Sequence, residues 1–186
     1  YRDHLLLKGT DDSRLMDAGP VTLGLRLSSS KFPNAYEAIS YGRGTWMFHM
    51  LRTMLRDAEP TASGQRTKGT EEPFLRALRE MRTQYEGRSI TTAQLLSIFE
   101  AQLPKSLWYE GKKSLDWFFE SWLSGTAVPG FELRDVKIVD KAGTPVVTGT
   151  IVQDNAPETL VTSVPLYAVV GGKPVFLRRV FADGTE

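Results

Sequence analysis

Cysteine is absent from this 186-residue chain. Its absence excludes disulfide cross-links and thiol nucleophiles, and it suits either a cytoplasm or a cysteine-poor bacterial periplasm. Histidine is scarce. His4 and His49 are the only two, 45 positions apart, and neither is followed by glutamate. A helical zinc site of the hydrolase kind needs two histidines four residues apart, with a glutamate beside the first. No His-Glu-x-x-His occurs here, so no metal ligand is expected in this stretch. His49 lies between Phe48 and Met50 and reads as a core or boundary side chain; His4 reads as a surface or docking residue. An excess of one charge is also missing. The 23 basic and 22 acidic residues leave a net charge of +1. There is therefore no electrostatic case for nucleic acid or an acidic surface. No apolar run approaches the roughly 20 residues that cross a bilayer, so no transmembrane segment is expected. No signal peptide is visible.

What is present is a soluble composition, with 41% hydrophobic and 24% charged residues. That length supports one large or two small domains with a real core. The chain changes character near Pro129. Before it, apolar residues recur at helical spacing; after it, β-branched and polar residues alternate. Val21 to Leu27 alternates and reads as a short strand. A first helix is expected from Tyr41 or Gly42 to Arg56, with Met47, Met50, Leu51, Met54 and Leu55 on one stripe. Asp57 to Gly69 is rich in turn formers and reads as the least ordered internal segment. A second helix begins near Glu71, with Pro73 in its first turn, and buries Phe74, Leu78, Met81 and Tyr85. A third follows a cap at Thr91 or Thr92 and buries Leu95, Ile98, Phe99 and Leu103. A fourth starts at Ser114 and buries Leu115, Phe118, Phe119 and Trp122. Aromatics at this spacing are core more often than a ligand box.

Beyond Pro129 four strands are expected: 131–139, 146–153, 160–170 and 174–182. Turn residues at Asp140 to Gly143, Asp154-Asn155 and Gly171-Gly172 separate them, the last fitting a tight hairpin. The fold class is thus α+β, with a helical part over 1–128 and an antiparallel sandwich-like part over 129–186. Four strands fall short of the roughly seven of a full immunoglobulin-like sandwich, so exposed edges are expected.

Four motifs stand in one order. Gly19-Pro-Val-Thr-Leu-Gly-Leu-Arg-Leu27 comes first, then the turn Tyr41-Gly42-Arg43-Gly44. Tyr85-Glu-Gly-Arg-Ser-Ile-Thr-Thr92 follows, and then Asp116-Trp-Phe-Phe-Glu-Ser-Trp-Leu123 with Val128-Pro129. Together they resemble the rear half of the catalytic domain of M1 zinc aminopeptidases, the gluzincins. Arg43 stands where that family's turn has lysine, and Asp57 to Pro73 is longer than the family's loop. The resemblance implies a thermolysin-like helical part followed by an immunoglobulin-like β domain, truncated in its strand number at 186. It implies removal of N-terminal residues from peptides, with zinc and a peptide substrate in a full-length protein. The zinc-binding half would lie upstream in the same polypeptide. A bacterial periplasmic or secreted setting is implied, with the cytoplasm as the alternative. This stretch alone is expected to be inactive.

The resemblance also assigns Tyr41 as the catalytic residue. A neutral phenol, with a reference pKa of about 10, keeps its proton at working pH. It can hydrogen-bond the oxyanion that forms on a carbonyl under attack, where one donor supplies about 3–4 kcal/mol. Gly42 and Gly44 would let the backbone turn sharply and bring the ring close. The plainer alternative is a structural tyrosine at a helix start. Tyr36, five residues earlier, is a second candidate near the same oxygen, or packing. Arg43 has a guanidinium fork that fits a substrate carboxylate; a structural ion pair in the turn explains it equally well. The runner-up function is a non-catalytic M1-like interaction or scaffold module.

Overall fold

The computed structural model describes residues 2–58 and 71–185. The expectation about Asp57 to Gly69 therefore falls largely outside the described residues; Asp57 itself ends a helix. The architecture is mixed helix and strand, with two small antiparallel sheets, which is α+β. Among the described residues no helix is long and apolar enough to cross a membrane.

Helix α1 (Arg2–Leu6) leads into two short 3₁₀ segments, Leu15–Ala18 and Val21–Leu27. The second replaces the expected strand. Pro20 precedes it, and Gly24 at φ 55° breaks the backbone within it. Among the described residues no strand pairs with it to supply a ladder. Its apolar residues instead join a small cluster of Leu5, Met16, Leu27, Ala35 and Ile39. Burial against that cluster overrides the alternating pattern.

A π-helical segment, Tyr36–Arg43, runs without a break into α2 (Gly44–Asp57). The Gly44 N–H reaches the Ile39 carbonyl five residues back. Gly44 itself is helical at φ −57°, so the expected sharp glycine turn does not form. Helix α3 (Pro73–Tyr85) has Pro73 in its first turn, as its missing N–H allows. Helix α4 (Thr92–Ala101) is capped at Thr91. The Thr91 hydroxyl accepts from the Gln94 N–H, and the Gln94 side chain accepts from the Thr91 N–H at 2.9 Å. Helix α5 (Asp116–Phe118) passes into a second π segment, Phe119–Leu123. The Glu100 carboxylate begins that helix by accepting from the Leu115 N–H at 2.7 Å.

The helices share one core, in which Met54, Leu55, Phe99, Leu115 and Phe118 are at most 1% exposed. On α4 the buried leucine is Leu96, and Leu95 is half-buried. Arg52 grips Glu72 through two bonds, at 2.8 and 3.1 Å, joining α2 to the start of α3. The hydrogen bond from Arg52 is also what holds its own guanidinium above its usual value. His49 is exposed rather than buried, and it meets the edge of Trp46 at 5.5 Å.

Strands β1 (Gly130–Lys141) and β2 (Thr144–Asp154) form one hairpin; β3 (Val161–Val170) and β4 (Lys173–Asp183) form another. Each carries a register shift, after Arg134 and after Leu166. Gly171 and Gly172, at φ 57° and 75°, make the left-handed pair that a two-residue hairpin turn requires. Gln153 stitches the hairpins together. Its side chain is 1% exposed and donates to the Leu160 and Gly184 carbonyls at 3.0 and 2.6 Å.

The second hairpin is fastened to the helices. The Ser121 hydroxyl accepts from the Val161 N–H at 3.0 Å, and Trp122 Nε1 donates to the Val161 carbonyl at 3.3 Å. Phe181 lies 5.2 Å from both the Trp117 and Tyr109 rings. Tyr109 donates its hydroxyl proton to the Asp183 carboxylate. Arg179 Nε lies 3.8 Å from Asp57 Oδ2.

Candidate functional site

The π segment carries all three site residues named from the sequence. Ala35 and Ile39, at 0% and 1% exposure, hold its inner face in the N-terminal cluster. Tyr41 falls on the outer face and is 63% exposed. Its carbonyl accepts from the Thr45 hydroxyl at 2.6 Å, which ties the segment to the first turn of α2. Tyr41 stands in the segment that runs straight into α2, a placement that the plainer alternative, a structural tyrosine at a helix start, shares.

Tyr36 is half-buried and stands edge-on to Tyr41, with ring centroids 5.7 Å apart and planes at 82°. The geometry suits attraction between a ring edge and a ring face. The phenols are also hydrogen-bonded. That bond, followed by the charge of Tyr41 when ionised, pushes the Tyr36 phenol above its ordinary value. A raised value favours the protonated Tyr36 phenol.

Arg43 ends the segment and points elsewhere. It is 6% exposed, and its guanidinium donates to the carbonyls of Trp122, Gly125 and Thr126 at 3.0–3.4 Å. These carbonyls end the second π segment, where helical partners run out. The guanidinium also lies 6.0 Å from the Trp122 ring. The placement favours a structural role, with these carbonyls as acceptors. A substrate-carboxylate role gains no support from it. Nothing in the residue pattern around Arg43 pointed to carbonyls some 80 positions away.

No three of His, Asp and Glu cluster as a metal site requires among the described residues. His4 and His49 are both exposed, on α1 and α2. The described residues therefore do not fit a zinc ion. Two hollows lie apart from the tyrosines. One, of about 560 Å³, runs between α3 and α4 past Arg76, Arg79 and Glu80. The other, of about 510 Å³, lies where the connector 124–127 meets Asn155 and Leu160. Neither is lined by Tyr36, Tyr41 or Arg43.

No family model, curated protein or solved structure matches this chain.

Proposed function

We propose that the chain is part of an M1-type zinc aminopeptidase and contributes Tyr41 as a transition-state hydrogen-bond donor. One observation carries the reading: Tyr41 is 63% exposed on a fixed helical segment, with Tyr36 edge-on behind it. A donor set in advance costs no reorganisation when charge develops, so it favours the transition state over the ground state. Tyr36 sits beside Tyr41 and orients it. The described residues hold no zinc site, so in this reading the metal belongs to an upstream part of the same polypeptide. The two hairpins are, in the same reading, the first strands of an immunoglobulin-like domain. The setting is a bacterial periplasm or the outside of the cell.

The test is Tyr41→Phe in the zinc-bearing full-length polypeptide, assayed on an aminoacyl reporter. The ring and its packing remain. The turnover number falls by about a hundredfold or more, and KM changes much less, because the bond matters mainly in the transition state. An unchanged turnover number refutes the assignment. The 186-residue chain by itself folds and hydrolyses nothing; zinc-dependent cleavage by the purified chain would equally sink the reading.

A second reading, a non-catalytic interaction module, has one observation in its favour. Ile138 and Val169 on the hairpins are 76% and 75% exposed, an unusual amount of apolar surface for strands. Activity lost in Tyr41→Phe with binding intact separates the two.

A further inference from the structure

We infer that Arg43 is a positioning residue: it ties the tyrosine segment to the docked β part, so that the placement of the Tyr41 hydroxyl depends on how β3 is seated. Its consequence for catalysis rests on the reading of Tyr41 given above.

The argument begins with the connector. The second π segment closes when the Ser124 N–H bonds the Phe119 carbonyl at 2.9 Å. The carbonyls just beyond lack helical partners and form the negative end of the segment. A planar guanidinium can reach several carbonyls at once, and a lysine ammonium cannot match that fork. Arg43 fills this position, spanning Trp122, Gly125 and Thr126.

The same connector holds the β part. Ser121 and Trp122 bind the N–H and the carbonyl of Val161, the first residue of β3. Residues 121–126 thus bind both Arg43 and Val161. They have little room to adjust. A Cβ added at Gly125 would lie 2.3 Å from the Ser121 carbonyl oxygen. Any shift of β3 is therefore passed to the acceptors of Arg43.

Only Gly42 separates Arg43 from Tyr41. The segment is anchored in front by Ile39 in the N-terminal cluster, and behind by Arg43. Tyr41 rides between these two anchors. Its own side chain is exposed, so its position comes from the backbone and from Tyr36, not from packing around it. Loss of the rear anchor loosens the turn that sets the Tyr36–Tyr41 contact.

The experiment uses the purified chain labelled with ¹³C on its tyrosine rings. Ring-to-ring NMR cross-peaks report the Tyr36–Tyr41 contact, and amide exchange reports segment 36–44. Arg43→Lys keeps the charge and loses the fork. Ser121→Ala leaves Arg43 and its acceptors intact and removes only the bond to Val161. Both variants are expected to keep the helical circular dichroism. Both weaken the cross-peak and shift the two tyrosine ring signals. Exchange over 36–44 rises about tenfold in Arg43→Lys, the scale of one lost charge-assisted bond. A lower melting temperature with unmoved tyrosine signals overturns the inference and leaves Arg43 a helix cap. If Arg43→Lys fails to fold, Ser121→Ala decides, because unmoved tyrosine signals there also overturn it. The measurements need no substrate. A fully active Tyr41→Phe enzyme would sink the catalytic reading and leave this result standing.

Discussion

Replacing Asp57 with asparagine removes the charge from one half of the ion pair that fastens α2 to β4. The two side chains are 8% and 9% exposed, so the pair is shielded from water. Burial pushes the Arg179 guanidinium below its ordinary value, and the Asp57 charge opposes that. Breaking a well-formed buried pair from one side costs about 3–5 kcal/mol, since the other charge is left stranded. Here the contact is long, at 3.8 Å, and Arg179 also donates to the Ser163 carbonyl at 3.4 Å. The expected cost is therefore smaller, about 2 kcal/mol. For a chain of this size that lowers the melting temperature by roughly 4–8 °C. Scanning calorimetry measures it directly. Adding Arg179→Met removes the stranded charge and recovers most of the loss, which a double-mutant cycle reads as coupling. A drop below about 1 °C in Asp57→Asn refutes the reasoning. So does a double variant less stable than Asp57→Asn alone.

Three further outcomes are expected. The hydrogen bond to Asp183 pushes the Tyr109 phenol up to about 12. A raised phenol stabilises the fold fully below its unfolded value of about 10, and that contribution fades as pH climbs through the folded value. The stability gap between wild type and Tyr109→Phe, kept below about 1 kcal/mol by solvent screening, therefore shrinks in strong alkali; a gap that widens there contradicts the assignment. Gln153→Leu removes the side-chain donor from the part-buried Gly184 carbonyl and from the Leu160 carbonyl, which keeps the Gly184 N–H at 3.2 Å. It lowers the denaturant midpoint by an amount equivalent to about 1–2 kcal/mol, and an unchanged midpoint would show that Gln153 does not stitch the hairpins. Tyr41→Phe leaves the melting temperature within about 1 °C because the hydroxyl is not buried. It also returns the Tyr36 titration toward the ordinary tyrosine value; a Tyr36 titration that does not move shows that the two phenols are not bonded.

Local signals were readable wherever the physics is local. Pro73 in a first turn, Thr91 with Gln94, and Gly171-Gly172 each act within a few residues, and each element formed as expected. The helical stripe of α2 was legible for the same reason, since its period follows from backbone geometry. Val21 to Leu27 was not. Its alternation is compatible with a strand, yet a strand exists only where another strand pairs with it. His49 was placed too deep because its neighbours are apolar, although Phe48 beside it is itself 39% exposed.

The sequence by itself determined the helical and strand halves, the turn residues and the tyrosine pair as candidates. Those follow from period, from backbone preference and from residue chemistry. Only the tertiary structure decided what Arg43 does. Its donors meet carbonyls 79 to 83 positions away, and no local pattern encodes which carbonyls a folded chain leaves unpaired. The same holds for the two separate hairpins. Tight turns set the ladder within each hairpin, but the joining of one hairpin to the other and to the helices runs through Gln153 and Ser121, between residues distant in the chain.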